Sequence, residues 1–125
     1  MAKKAAVNGD VLNIQIFGKA KCFDTKKAER YFKERRIKYQ FIDLPRYGMS
    51  KGEYNSVKNA IGSMEALVDK KSKTYEAQYM AYLADNGDKE ERLLDNPGMF
   101  MTPIVRNGKK ATVGYQPDMW DSWQG

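Results

Sequence analysis

Residues 12 to 44 change hydrophobic period twice, and this constrains the chain more than any other feature. Leu12, Ile14 and Ile16 alternate with Asn13, Gln15 and Phe17, the two-residue period of a strand. Gly18, Lys19, Ala20 and Lys21 then form a short loop. From about Cys22 to Arg36 the period is helical. Ala28, Tyr31 and Phe32 share one face, Lys26, Lys27, Arg30, Lys33 and Glu34 point to water, and Glu29 precedes Lys33 in the favourable i,i+4 order. Tyr39 to Leu44 returns to a strand, which Pro45 ends. A strand, helix and strand with such short connections predicts two parallel strands and a crossover helix.

The middle of the chain reads as helical. Ser50 with Glu53 forms a capping box ahead of an apolar stripe of Tyr54, Val57 and Ile61, and Gly62 ends that helix. A basic, polar stretch, Asp69 to Thr74, leads into another helix, in which Tyr75, Tyr79, Tyr82 and Leu83 fall at core spacing. Asn86-Gly87 closes it, and Asp88 with Glu91 caps a short helix carrying Leu93 and Leu94. Thr102 to Arg106 reads as a strand, Asn107-Gly108 as the centre of a hairpin turn, and Lys110 to Gly114 as the antiparallel return. Pro117 starts a last helix, docked by Trp120 and Trp123. The order βαβ, helices, ββα predicts an α/β fold with a four-stranded mixed sheet. Its strands lie near 12–17, 39–44, 103–106 and 110–114, with residues 50–95 as an inserted helical subdomain. Residues 1–10, small and polar, read as a flexible tail ahead of a single domain over 11–125.

Composition removes whole classes of chemistry. With no histidine there is no imidazole base, no Ser-His-Asp triad and no imidazole metal site. One cysteine allows neither an internal disulfide nor a Cys-rich zinc site, so no metal site is expected. No apolar run reaches the roughly 20 residues that span a bilayer. A cytoplasmic location without membrane contact is therefore expected. A formal charge of +6 permits anionic ligands or nucleic acid without requiring either.

The one cysteine sits where the first strand hands over to the first helix. The opening N–H groups of a helix have no intrahelical partners and carry the positive end of its dipole. A thiolate is stabilised there, and its pKa can fall from about 8.5 to about 3.5–7.5. Lys19, Lys21 and Lys26 add positive charge, whereas Asp24 opposes the thiolate. A lone cysteine is ordinarily a small buried residue. The helix N-terminus, the lysines and the βαβ setting favour a nucleophile at Cys22.

The run Gly18-Lys19-Ala20-Lys21-Cys22-Phe23-Asp24-Thr25-Lys26-Lys27-Ala28 resembles the cysteine loop of the ArsC/Spx family. Members are arsenate reductase-like or Spx-like proteins on a thioredoxin-type, glutaredoxin-like fold with a helical insertion. Ser72-Lys73-Thr74-Tyr75 resembles the segment after the family's mid-chain basic residue. Thr102-Pro103-Ile104-Val105, with Gly114 and Tyr115, resembles its Pro-Ile-Val strand and the turn that follows. The resemblance covers roughly residues 12–120. It implies that Cys22 is the nucleophile. Thr25 stands where Spx-like members carry the second cysteine of C-x-x-C. Lys70 and Lys71 stand around the family's active-site basic residue, commonly Arg. Pro103 stands on the cis-proline, whose preceding residue, Thr102, lines the cysteine pocket. A cis Thr102–Pro103 bond close to Cys22 is expected. Glutathione-coupled arsenate reductases carry Arg where this chain has Thr102, and Lys replaces a second Arg. A Lys cannot form the bidentate fork that grips an oxyanion, so poor arsenate reduction is expected.

Two functions of different classes follow from this reading. In the first, Cys22 is the nucleophile of a monothiol redox protein. Lys21, Thr25, Lys70, Lys71, Thr102 and Pro103 form its anion or substrate surroundings. No cofactor is bound, and glutathione, another external thiol or a glutaredoxin-type reductant resolves the adduct. In the second, the resemblance to Spx-like proteins implies contact with RNA polymerase, without the redox switch that Thr25 removes. A member that keeps the fold without the chemistry is a third outcome.

Overall fold

Strand β1 (Ile14–Gly18) runs through the middle of the sheet, in a computed structural model that describes residues 12–124. The tail expected at 1–10 lies outside the described residues. β2 (Tyr39–Asp43) pairs with β1 in parallel, with Ile16 beside Phe41. On the other edge of β1 lies β3 (Ile104–Asn107), antiparallel, with Ile16 beside Val105. β4 (Lys110–Val113) closes the order β2-β1-β3-β4 by pairing antiparallel with β3. The parallel first pair and the mixed four-stranded sheet are as the sequence predicts.

Alternation along β1 and β3 divides the core between the two faces of this sheet. Ile14, Ile16 and Val105 face α1 (Phe23–Glu34) and α6 (Pro117–Trp123), where they pack with Ala28, Tyr31, Phe32 and Trp120. The Trp120 indole N–H donates to the Thr112 hydroxyl at 2.8 Å, so α6 docks through Trp120 as expected. Phe17 and Ile104 face the opposite way. They meet Leu44, Tyr54, Val57 and Leu93 of the intervening helices, and Leu67, Met80 and Phe100 of the segments that join them.

Those helices are α2 (Leu44–Tyr47), α3 (Lys51–Ile61), α4 (Lys73–Ala77) and α5 (Asn86–Asp95). α3 begins with the predicted capping box, Ser50 and Glu53 exchanging side-chain and backbone bonds at 3.1 and 2.9 Å. It ends at Gly62 in the left-handed region, φ 94°. α3 is tied to α5 by Glu90, whose carboxylate accepts from Lys58 at 2.6 Å and from Tyr54 at 2.7 Å.

The structure corrects four sequence expectations. The first helix stops at Glu34 rather than Arg36, because Arg36 takes φ 58° and cannot continue it. The tyrosine helix does not form. α4 ends at Ala77, Tyr79 takes φ 54°, and a short 3-10 turn covers Met80–Tyr82. That bend sends Met80 into the core, at 2% exposure, and leaves Tyr79 and Tyr82 outside at 66% and 84%. Asn86-Gly87 opens a helix instead of closing one, and Asp85 rather than Asp88 is its cap, because the Asp85 carboxylate accepts from the Gly87 amide at 2.7 Å and leaves Asp88 inside the first turn of α5. Asn107 still pairs with Lys110, so the hairpin turn centres on Gly108-Lys109, with Gly108 at φ 60°.

Two predictions follow from this packing. A Cβ on Gly18 would lie 2.4 Å from Thr25 Cγ2, so Gly18→Ala should destabilise the fold by about 1–3 kcal/mol. Gly52, in the first turn of α3 with nothing within 4 Å of an added Cβ, should accept alanine neutrally or with a gain. Urea unfolding of both variants makes the comparison. The second prediction concerns acid. The Lys58 ammonium and the Tyr54 hydroxyl hold Glu90 below the usual carboxylate range. Its contribution is therefore complete above the unfolded value of about 4.3 and is lost as pH falls through the lowered folded value. Glu90→Gln should cost up to about 1 kcal/mol at pH 7, and the difference from wild type should vanish in acid.

Candidate active site

At the end of β1 the chain turns sharply, and the Cys22 amide donates to the Lys19 carbonyl at 3.1 Å. Cys22 is the N-cap of α1. Its backbone is extended, φ −88° and ψ 119°, and its carbonyl accepts the first helical bond from the Lys26 amide. Its side chain makes no capping bond. The half-buried sulfur lies beside the first turn, where the Asp24 and Thr25 amides favour its charged form.

The other wall of the site is the segment that leads into β3. The Thr102–Pro103 bond is cis, as expected. The Thr102 hydroxyl donates to Cys22 Sγ at 3.2 Å, and Sγ lies 3.6 Å from the Thr102 carbonyl. Pro103 is buried, and its carbonyl accepts from the Gly114 amide at 2.8 Å, which fixes the segment to the end of β4. Thr25 is buried beneath the thiol at 1% exposure. Its hydroxyl serves Cys22 and also accepts from the Lys19 amide at 3.4 Å.

These contacts set the thiol's acidity. Burial raises its pKa, and the hydrogen bonds of Thr102, Thr25 and Asp24 outweigh that effect, so the pKa falls below the ordinary thiol value. The lowering comes from neutral donors rather than from the lysine charges that the sequence suggests. Asp24 turns out to help through its amide, while its carboxylate lies 3.9 Å from Lys27. Lys21 is exposed. Lys19 reaches across the site, its ammonium donating to the Gly98 carbonyl at 2.8 Å. No sequence signal marks Gly98, since the acceptor is a backbone carbonyl.

Lys70 and Lys71 arrive by a different route. Residues 67–69 form a short antiparallel ladder with 99–101, the Asp69 amide donating to Met99 and the Met101 amide to Leu67. This brings the loop alongside the chain that runs into Thr102. The Lys70 ammonium is held by Glu65 at 2.7 Å, and Lys71 is exposed, with its amide on the Asp69 carboxylate. Four of the six arginines are engaged elsewhere. Arg35 stacks on Tyr31, Arg46 lies over Tyr47, Arg92 donates to the Gln78 carbonyl, and Arg106 donates to Gln15. Among the described residues no cluster of His, Cys, Asp or Glu is placed to hold a metal, and no helix is long and apolar enough to cross a membrane.

If neutral donors govern the thiol, Thr102→Val should raise the Cys22 pKa and slow its alkylation at pH 7 several-fold. Lys21→Ala should change it little. Thiolate absorbance against pH reads both variants.

Known proteins share this arrangement of sheet and helices. An arsenate reductase from Vibrio cholerae superposes with a TM-score of 0.74 at 18% identity, over 87% of this chain and 95% of that one. An arsenate reductase (ArsC) related protein from Brucella melitensis gives a TM-score of 0.63 at 21% identity, over 88% and 92%. A Staphylococcus aureus protein gives 0.69 at 20% identity, over 90% and 99%. At such identities the likeness establishes the fold. Comparison with curated proteins finds no match. The sequence model of the ArsC family matches residues 17–123, from the end of β1 to the last residue of α6. With its mixed four-stranded sheet and its single cysteine at the head of α1, the chain belongs to the ArsC family.

Proposed function

We propose that the protein is a monothiol redox protein that exchanges disulfides through Cys22. One observation carries this reading: the half-buried sulfur stands at the head of α1 and accepts the Thr102 hydroxyl at 3.2 Å, a setting that favours thiolate. The thiolate attacks one sulfur of a disulfide R–S–S–R′. A Cys22–S–S–R bond forms, the original S–S bond breaks, and R′S⁻ leaves to take a proton from water. The sequence holds one cysteine, so the second thiolate is external, from glutathione or a glutaredoxin-type reductant. It attacks the R sulfur, forms a new disulfide with R, and returns Cys22 as thiolate. Each exchange makes one S–S bond and breaks one, so electrons balance. A thiol of lowered pKa is also the better leaving group in the second step. The Thr102 hydroxyl and the Asp24 and Thr25 amides receive the returning charge.

Lys21 and Lys71, both exposed, supply positive charge toward anionic groups on the substrate. Arsenate itself is a poor substrate in this reading. Thr102 offers one hydroxyl where an oxyanion needs a fork of donors, and Lys70 is occupied by Glu65.

Incubation with glutathione disulfide, followed by intact mass measurement, tests the exchange. One glutathione should add at Cys22, reduced glutathione should remove it, and Cys22→Ser should abolish both steps. Failure of wild type to form the adduct overturns the reading. Arsenate turnover with glutathione and glutaredoxin should stay near background. Robust turnover that Cys22→Ser removes would overturn that part.

A further inference from the structure

Lys19 belongs to the loop before the nucleophile, yet its contacts reach both walls of the site. Its ammonium donates to the Gly98 carbonyl at 2.8 Å, its amide to the Thr25 hydroxyl at 3.4 Å, and its carbonyl accepts the Cys22 amide at 3.1 Å. Gly98 lies in the short 3-10 turn Pro97–Met99. From there the chain passes through buried Met99 and Phe100 to Met101 and Thr102. The Phe100 amide bonds back to the Pro97 carbonyl, and the Met101 amide to Leu67. Gly98 is thus joined to Thr102 by a short stretch of chain held on both sides. Beside the Thr102–Cys22 bond, the ammonium of Lys19 is a second side-chain tie between the cysteine loop and that stretch.

We propose that Lys19 is a positioning residue, whose bond to the Gly98 carbonyl fixes the approach of Thr102 to Cys22 and so sets the reactivity of the sulfur. The inference rests on the thiol-exchange reading of Cys22 and deepens it. A weak donor–acceptor pair such as O–H···S loses strength quickly when one wall moves, so a tie between the walls acts on chemistry it does not touch. Half-buried Lys19 also makes a charge-assisted bond to a carbonyl, stronger than a neutral one. The elements that flank the sulfur carry Lys21 on the same loop, Asp24, Lys26 and Lys27 on α1, and Asp69, Lys70 and Lys71 on the neighbouring loop. Residues 96–103 carry no ionisable side chain. A direct effect of the Lys19 charge is the competing explanation, and the two separate in a double-mutant cycle.

The experiment is Cys22 alkylation by iodoacetamide against pH, with circular dichroism to confirm folding. The proteins are wild type, Lys19→Met, Lys19→Arg, Thr102→Val and the Lys19→Met/Thr102→Val pair. Lys19→Met should raise the apparent pKa and slow alkylation at pH 7 several-fold. Lys19→Arg, which keeps a charged donor, should restore most of the rate. The double variant should be no slower than Thr102→Val alone, because both changes remove one contact. Should Lys19→Met not fold, Lys19→Gln, too short to hold Gly98, takes its place. A low wild-type pKa that Lys19→Met leaves unchanged overturns this inference alone. Strictly additive effects also overturn it and assign the effect to charge. A wild-type thiol that titrates like free cysteine overturns the thiol-exchange reading and this inference with it.

Discussion

β1 is hydrogen-bonded along both edges and covered on both faces, and everything else is placed from it. Its pairing with β2 fixes where α1 must cross, and its pairing with β3 fixes where the Thr102–Pro103 segment enters. Both the cysteine loop and that segment emerge at the same end of the sheet. Phe17 pairs with Ile104, so the residue after Phe17 and the residues before Ile104 stand side by side. The site is therefore a consequence of register. A shift of one residue between β1 and β3 would reverse the faces of Ile104 and Val105 and draw Thr102 away from the sulfur.

The close fit of Gly18 against Thr25 completes this arrangement. The absence of a side chain on Gly18 lets the first turn of α1 sit against the end of β1. Thr25 then lies buried under Cys22, with its hydroxyl shared between the sulfur and the Lys19 amide. The position that would carry a second thiol in a C-x-x-C pair instead holds a fixed hydrogen-bonding support.

Legibility of the fold in the sequence varied with how local its causes are. β1, α1 and β2 are readable from period alone, and the α3 capping box from two residues, because those signals act within one element. Tyr75, Tyr79, Tyr82 and Leu83 match a helix equally well. There the outcome depends on Met80 finding the core between the other helices, which periodicity does not carry. Asp85 took α5 from Asn86-Gly87 by a single side-chain bond, a contest between two plausible punctuation marks. In the site, the place of Cys22 at the head of α1 and its nearness to Thr102 were legible, the second through family resemblance. The donors that lower its pKa were not. Backbone amides of Asp24 and Thr25 have no residue signature, and no lysine is among the groups that lower the thiol's pKa, with Lys19 bonded to Gly98 instead.

A thiolate held by hydroxyls and amides behaves differently in salt from one held by ammonium groups. Mobile ions weaken attraction between separated charges, over about 8 Å at physiological ionic strength. They leave a short hydrogen bond from Thr102 or from a helix amide nearly untouched. Acidity that rests on such contacts should change little with ionic strength. On the proposed reading, the exposed lysines Lys21 and Lys71 keep the salt-sensitive task of drawing anionic partners toward the sulfur. On that reading the intrinsic reactivity of the sulfur and the rate at which charged partners reach it are set by separate groups, so the ionic medium would change the second without changing the first.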